Sequence, residues 1–198
     1  MIALVDYKAG NLTSVRKAFA ALGAPLYTPE RPGELASADA VVVPGVGHFA
    51  ATKTLGSEWI DAILARVGEG RPLLGICLGM QWLFEGSDES PELPGLGLLS
   101  GRCYRLSADN VKVPHVGWNS LDVKRQDSIV DEIADGAQVY FTHSYVAPVT
   151  GDTVAVTTHS EPFASVVQRG HVAGVQFHPE KSGDVGLQVL RNFLQMVG

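Results

Sequence analysis

The sequence predicts an α/β fold: a mostly parallel central sheet flanked by helices, with extra antiparallel strands in the second half. Two observations predict it. In the first half, short apolar runs alternate with segments of helical period, and the connections between them are short. In the second half, strand-like runs follow one another with turns between them. The early runs are continuously apolar and do not alternate, as strands buried on both faces require.

Residues 2–5 form the first such run, and Asp6-Tyr7-Lys8-Ala9-Gly10-Asn11 is a loop. Leu12, Val15, Phe19 and Leu22 recur at helical spacing, so a helix is expected over 12–22, with Gly23 as its stop. Leu26 and Tyr27 make a short second strand. Ala40-Val41-Val42-Val43 is the clearest strand, and it runs into Pro44-Gly45-Val46-Gly47-His48-Phe49. Two glycines after a buried strand free the backbone, either for a simple turn or for a loop whose amides face a ligand or a developing oxyanion. A second amphipathic helix is expected over 58–67, then a strand over 73–76 and a helix to about 84. The order β-α-β-β-α-β-α implies a mostly parallel sheet covered on both faces. Ligands of such sheets sit beyond the carboxyl ends of the strands. Asp6-Tyr7-Lys8, the Gly45–Gly47 loop and Cys77 all lie at such ends, so they are expected to meet at one edge.

Residues 85–97 read as a polar loop. Strand-like runs follow at 98–106, 111–123, 139–149, 153–159, 163–168 and 172–177, with Thr150-Gly151-Asp152 and Gln168-Arg169-Gly170 as hairpin turns. A short helix is expected over 129–134 and a closing helix over 185–197. No repeat or linker interrupts the chain, so 1–198 reads as one domain.

Bulk properties narrow the function. The 198 residues are 45% hydrophobic and 18% charged, with net charge −6 and no basic cluster, which argues against a nucleic-acid partner. No stretch is long and apolar enough for a transmembrane helix, and the N-terminus reads as a strand and not as a signal peptide. Cys77 and Cys103 make no disulfide framework, so a cytoplasmic, reduced protein is expected. The histidines and cysteines show no metal-ligand spacing, and no cofactor is expected.

The chemistry centres on Gly75-Ile76-Cys77-Leu78-Gly79-Met80-Gln81, where an apolar run ends in Gly-x-Cys-x-Gly before a helix. That is the pattern of a nucleophile elbow. The glycines keep Cβ atoms out of the turn, and the following helix directs its free N–H groups toward the sulfur, a field that favours the thiolate. A small buried cysteine between two glycines is the other reading. A cysteine nucleophile needs a base, and a group to hold that base. Val175-Gln176-Phe177-His178-Pro179-Glu180 offers both, since His178 and Glu180 share one side of an extended chain. Together with the Gly loop after Val43, these residues favour the nucleophile. His143, in Tyr140-Phe141-Thr142-His143-Ser144-Tyr145, reads as a structural histidine in a pocket wall. His159 and His171 read as surface residues, His48 and His115 stay open, Cys103 reads as core, and Trp118 as a packing or interface residue.

With these motifs in view, the chain resembles the class I, triad-type glutamine amidotransferases along essentially its whole length. Within them it is similar to the glutaminase subunits of imidazole glycerol phosphate synthases. The subgroup is marked by Asp6-Tyr7 with Gly10-Asn11-Leu12, Pro44-Gly45-Val46-Gly47, Pro114-His115-Val116-Gly117-Trp118-Asn119, the 140–145 segment and Lys181-Ser182. The resemblance implies a flavodoxin-like fold and a Cys77-His178-Glu180 triad that hydrolyses glutamine to glutamate and ammonia. It implies an oxyanion hole of backbone N–H groups at Leu78 and at Gly45, Val46 or Gly47. Gly47, Gln81, Ser144 and Tyr145 would hold the glutamine, and Glu89 its ammonium group. It further implies a heterodimer with a (β/α)8-barrel cyclase subunit that takes the ammonia, with Asn11, Trp118, Tyr140 and Lys181 at the interface. The products would be imidazole glycerol phosphate and aminoimidazole carboxamide ribotide, in histidine biosynthesis. The isolated chain would be a poor glutaminase, with its Gly45–Gly47 loop mis-set. The alternatives are a glutaminase serving vitamin B6, anthranilate or GMP synthesis, a non-catalytic binding module on the same scaffold, or a hydrolase of another amide or ester.

Overall fold

The structure is a computed structural model that describes residues 1–109 and 111–198. Its strands are β1 (Ile2–Leu4), β2 (Leu26–Tyr27), β3 (Ala40–Val43), β4 (Leu73–Ile76), β5 (Gly86–Ser87), β6 (Arg102–Arg105) and β7 (His115–Ser120). After them come β8 (Asp122–Val123), β9 (Gln138–His143), β10 (Tyr145–Val146), β11 (Thr153–Thr158), β12 (Pro162–Arg169) and β13 (Val172–Val175). The α-helices are α1 (Leu12–Ala21), α2 (Ser57–Gly68), α3 (Leu78–Trp82) and α4 (Gly183–Val197).

An eight-stranded sheet in the order β2-β1-β3-β4-β13-β12-β11-β8 organises the molecule. The pairs from β2 through β13 are parallel, and those from β13 through β8 antiparallel. The apolar runs behave as a two-sided strand must. Leu4, Val42, Leu74 and Ile76 face one layer with Val15, Phe19, Val189 and Phe193 of α1 and α4. Their neighbours Val5, Val41, Val43 and Leu73 face the other layer, with Ile63, Leu78, Met80 and Trp82 of α2 and α3. Asn11 starts α1 by accepting the Ser14 N–H on its side-chain oxygen at 3.3 Å.

Several expectations need correction in the second half. The 129–134 segment is no α-helix: a 3-10 turn covers Ser128–Val130, and Glu132, at φ +58°, interrupts any helical continuation. The 111–123 run divides into β7, which pairs with β9, and β8, which joins the large sheet. The 139–149 run also divides: after Ser144 the chain leaves β7, and β10 pairs with β6. Thr150-Gly151-Asp152 is therefore a turn but not a hairpin between paired strands, whereas the turn at Arg169–Val172 does join β12 to β13. Two further 3-10 segments, Pro32–Ser37 and Phe49–Thr54, were not expected.

Candidate active site

β1, β3, β4 and β13 are consecutive in the sheet, so the loops after them emerge side by side. β4 runs straight into Cys77, whose N–H donates to the Val175 carbonyl of β13 at 2.7 Å. The cysteine is thereby set against the strand that leads to His178. Cys77 has φ +53° and ψ −108°, a conformation that costs a residue with a Cβ about 1–3 kcal/mol. Close packing of α3 holds it there. A Cβ at Gly79 would lie 1.8 Å from the Val43 carbonyl oxygen, and one at Gly75 would lie 2.6 Å from the Gly79 carbonyl oxygen. α3 ends at Trp82, shorter than expected, so little helix dipole reaches the sulfur.

His178 follows β13, its N–H donating to the Tyr140 carbonyl at 2.9 Å. The chain does not stay extended from His178 to Glu180, because Pro179–Lys181 is a 3-10 turn. The tight turn still brings Glu180 Oε1 to 2.9 Å from His178 Nδ1, with both side chains buried. The far ring nitrogen, Nε2, is buried without a hydrogen-bond partner among the described residues. Burial opposes a charge on this ring, but Cys77 and Glu180 together outweigh it and push the His178 pKa up to about 10.

Cys77 Sγ accepts a long hydrogen bond from Gln176 Nε2 at 3.5 Å. Gln176 Oε1 in turn accepts from Gln81 Nε2 at 3.1 Å, and Gln81 Nε2 also donates to the Tyr145 carbonyl at 2.8 Å. In front of Cys77 lies a cavity of about 200 Å³ lined by Gly47, Gln81, Glu89, Ser144 and Tyr145. Those five residues come from four separate stretches of sequence. Leu78, Pro114, Thr142 and His143 complete the lining. Glu89 reaches the cavity because its loop is tied down: β5 pairs with β6, and Glu89 Oε2 accepts the Phe49 N–H at 2.7 Å.

The Gly45–Gly47 loop takes a definite position. The Gly45 carbonyl accepts the Leu78 N–H at 3.3 Å, so an acceptor already occupies one of the two expected oxyanion donors. Asp6 and Lys8 pair with each other, and Tyr7 turns inward under Gly45.

Trp118, Tyr140 and Lys181 form one surface cluster. Trp118 opposes Tyr140 in the β7–β9 register, their rings lie 6.0 Å apart, and Lys181 Nζ sits 5.9 Å from the Tyr140 ring. Asn11 caps α1, whose Ser14 shares a groove with Pro179 and Glu180 next to Lys181. His143 is both pocket wall and hydrogen-bonded, its Nδ1–H donating to the Tyr145 carbonyl at 3.1 Å. Its Nε2 accepts from His115 Nδ1 at 3.0 Å. His159 is partly buried, stacked on His115 at 4.1 Å. His48 caps the Phe49–Thr54 turn, His171 bonds the Val67 carbonyl, and Cys103 is fully buried.

Sequence reasoning gave no individual role to Gln176 or Tyr7. Gln176 stands two residues before His178, and that spacing was its one signal. Tyr7 was placed at the site's edge by its loop, but nothing local gave it a role of its own.

Residues 3–197 match the family described as glutamine amidotransferase class-I. The imidazole glycerol phosphate synthase subunit HisH of Lactiplantibacillus plantarum is 49% identical, over 100% of this chain and 96% of that protein. The chloroplastic imidazole glycerol phosphate synthase hisHF of Arabidopsis thaliana is 41% identical over 98% of this chain, which matches 34% of that longer protein. A crystal structure of a glutamine amidotransferase shares the fold with a TM-score of 0.78 at 23% identity, covering 100% of both chains.

Proposed function

This chain belongs to the class I glutamine amidotransferases, and within them to the HisH subunits of imidazole glycerol phosphate synthase; from that premise we propose how its site releases ammonia. It is a glutaminase subunit of histidine biosynthesis. Its span, 1–198, acts as one amidotransferase domain.

Cys77 Sγ attacks the side-chain amide carbon of glutamine, held in the cavity by Gly47, Gln81, Ser144 and Tyr145, with its ammonium group on Glu89. His178 carries the thiol proton and passes it to the leaving nitrogen as the C–N bond breaks. Glu180, on Nδ1, fixes the ring so that Nε2 serves the sulfur. Water then cleaves the glutamyl thioester to glutamate, with His178 taking the water's proton. The observation that carries this reading is the buried 2.9 Å contact of His178 with Glu180, just after the strand that pairs with the one delivering Cys77.

The Gly45–Val46 peptide is the regulated part. While the Gly45 carbonyl caps the Leu78 N–H, the oxyanion lacks that donor. Turning the peptide over frees the Leu78 N–H and presents the Val46 N–H, and each such donor is worth ~3 kcal/mol, a factor of roughly 100 or more in rate. A cyclase subunit, bound at Trp118, Tyr140, Lys181 and Asn11 as a heterodimer, supplies the turn and receives the ammonia. Two unpaired cysteines suit a reducing cytoplasm.

A glutamine analogue carrying an electrophile is expected to label Cys77, with no label in Cys77→Ala. Glutamine hydrolysis is expected to rise at least roughly 100-fold when a cyclase subunit and its nucleotide ligand are added. Label on another residue, or full turnover by the chain alone, contradicts the reading.

A further inference from the structure

Tyr7 lies in the loop after β1, outside the proposed triad and outside the cavity lining, and the mechanism above leaves it unused. Its hydroxyl is buried and has no hydrogen-bond partner among the described residues. A buried polar group in that condition requires an explanation, because it has given up water for nothing. Burial, reinforced by the charge of Cys77, raises its pKa far above the usual phenol range, so it stays a donor.

The hydroxyl is aimed at the oxyanion loop. A Cβ built on Gly45 would fall 2.0 Å from Tyr7 Oη and 2.9 Å from Leu78 Cβ. The phenol tip and the first residue of α3 therefore close on the same side of Gly45. Gly10 backs the loop from another side, where a Cβ would lie 3.5 Å from Gly45 Cα. In the position observed, the Gly45 carbonyl is satisfied by the Leu78 N–H and the phenol is not satisfied at all. Turning the Gly45–Val46 peptide strips the carbonyl of its donor. One new bond then resolves both deficits. Among the described residues, Tyr7 is the buried, unpartnered donor found among the nearest neighbours of Gly45.

We propose that Tyr7 is the positioning residue of the oxyanion loop: its O–H donates to the Gly45 carbonyl in the turned-over state and so holds the Val46 N–H toward the substrate. The inference rests on reading Gly45–Val46 as a two-position peptide. It makes the orphaned hydroxyl a bias built against the resting state, which lowers the effort asked of the partner.

The test is Tyr7→Phe, assayed in complex with the cyclase subunit and its nucleotide ligand. The kcat for glutamine is expected to fall roughly tenfold, one hydrogen bond's worth, with KM unchanged. The thermal midpoint of the isolated variant is expected to hold or rise, since the orphaned group is gone from the state that chain occupies. Unchanged kcat overturns the proposal. So does a raised KM with a lowered midpoint, which would make the phenol a packing group only. A wild-type complex no faster than the isolated chain removes the two-position reading itself, and that failure is visible before any variant is made.

Discussion

His178 and the pair His115–His143 hold their protons in opposite ways because of what each ring faces. His178 faces a carboxylate and a thiol, which overcome its burial and raise its pKa to about 10. His115 and His143 face each other, aromatic rings and a carbonyl; burial, joined by the neighbouring His159 for His115 and by His115 for His143, lowers them to about 4 and about 3. Their hydrogen bonds agree. The Tyr145 carbonyl can only accept, so His143 carries its proton on Nδ1 and must accept on Nε2 from His115, while Asn119 Nδ2 donates to the far nitrogen of His115. A further proton on either ring breaks a bond in this chain. The unfolded rings titrate near 6.5. As pH falls below that value, the unfolded state takes protons that folded His115 and His143 refuse, and stability drops toward pH 4. As pH rises above it, folded His178 keeps a proton that the unfolded ring has lost, and stability drops toward pH 10. The thermal midpoint should therefore peak near pH 6.5 and decline on both sides, each unit of pKa separation being worth about 1.4 kcal/mol. His178→Gln should flatten the alkaline decline and leave the acid one. An alkaline decline that survives the substitution would mean that some other group drives it.

At the scale of elements, the elbow is held by close approach and not by propensity. α3 sits so near β3 that the Val43 carbonyl oxygen occupies the space of a Gly79 Cβ, at 1.8 Å. A backbone oxygen cannot swing aside as a side chain can. Gly79→Ala is therefore expected to cost ~3 kcal/mol or more in urea unfolding. Gly68→Ala, at the end of α2 with no atom within 4 Å of the new methyl, should be neutral or mildly stabilising. Equal effects of the two would separate the elbow from its packing. What the sequence made legible follows the same division. β1, β3 and β4 could be read because a strand buried on both faces leaves an unbroken apolar run, and Cys77 and His178 because glycine and proline punctuate the chain beside them. The switch of strand partner at Ser144 could not be read, since pairing of β10 with β6 is decided by distant chain. The turn at Pro179–Lys181 was hidden for a different reason: extended and 3-10 chains both bring His178 to Glu180. The orphaned state of Tyr7 was invisible because an unpartnered hydroxyl exists only once the fold has closed around it.

Across the whole molecule, one strand joins the surface cluster to His178 of the proposed triad. Tyr140 lies opposite Trp118 in β9, beneath Lys181, and its carbonyl receives the His178 N–H at 2.9 Å while its N–H donates to Ser182 Oγ at 2.9 Å. A body pressed against Trp118 therefore bears on a strand bonded to the backbone of His178, the base in the proposed mechanism. Trp118 is 57% exposed and Val116, on the same strand, 58% exposed, an unusual pair of large apolar side chains to leave in water. Aromatic residues of this kind carry a large share of binding energy when a partner covers them. On the reading that the cyclase binds here, Trp118→Ala should weaken the complex by ~2 kcal/mol, about 30-fold in Kd by titration calorimetry. At saturating cyclase, where every chain is bound, glutamine turnover should recover most of its wild-type rate, since the triad and the Gly45–Val46 peptide are untouched. An unchanged Kd would put the interface on another face. A weakened Kd with turnover still lost at saturation would assign Trp118 to transmitting the signal as well as to binding.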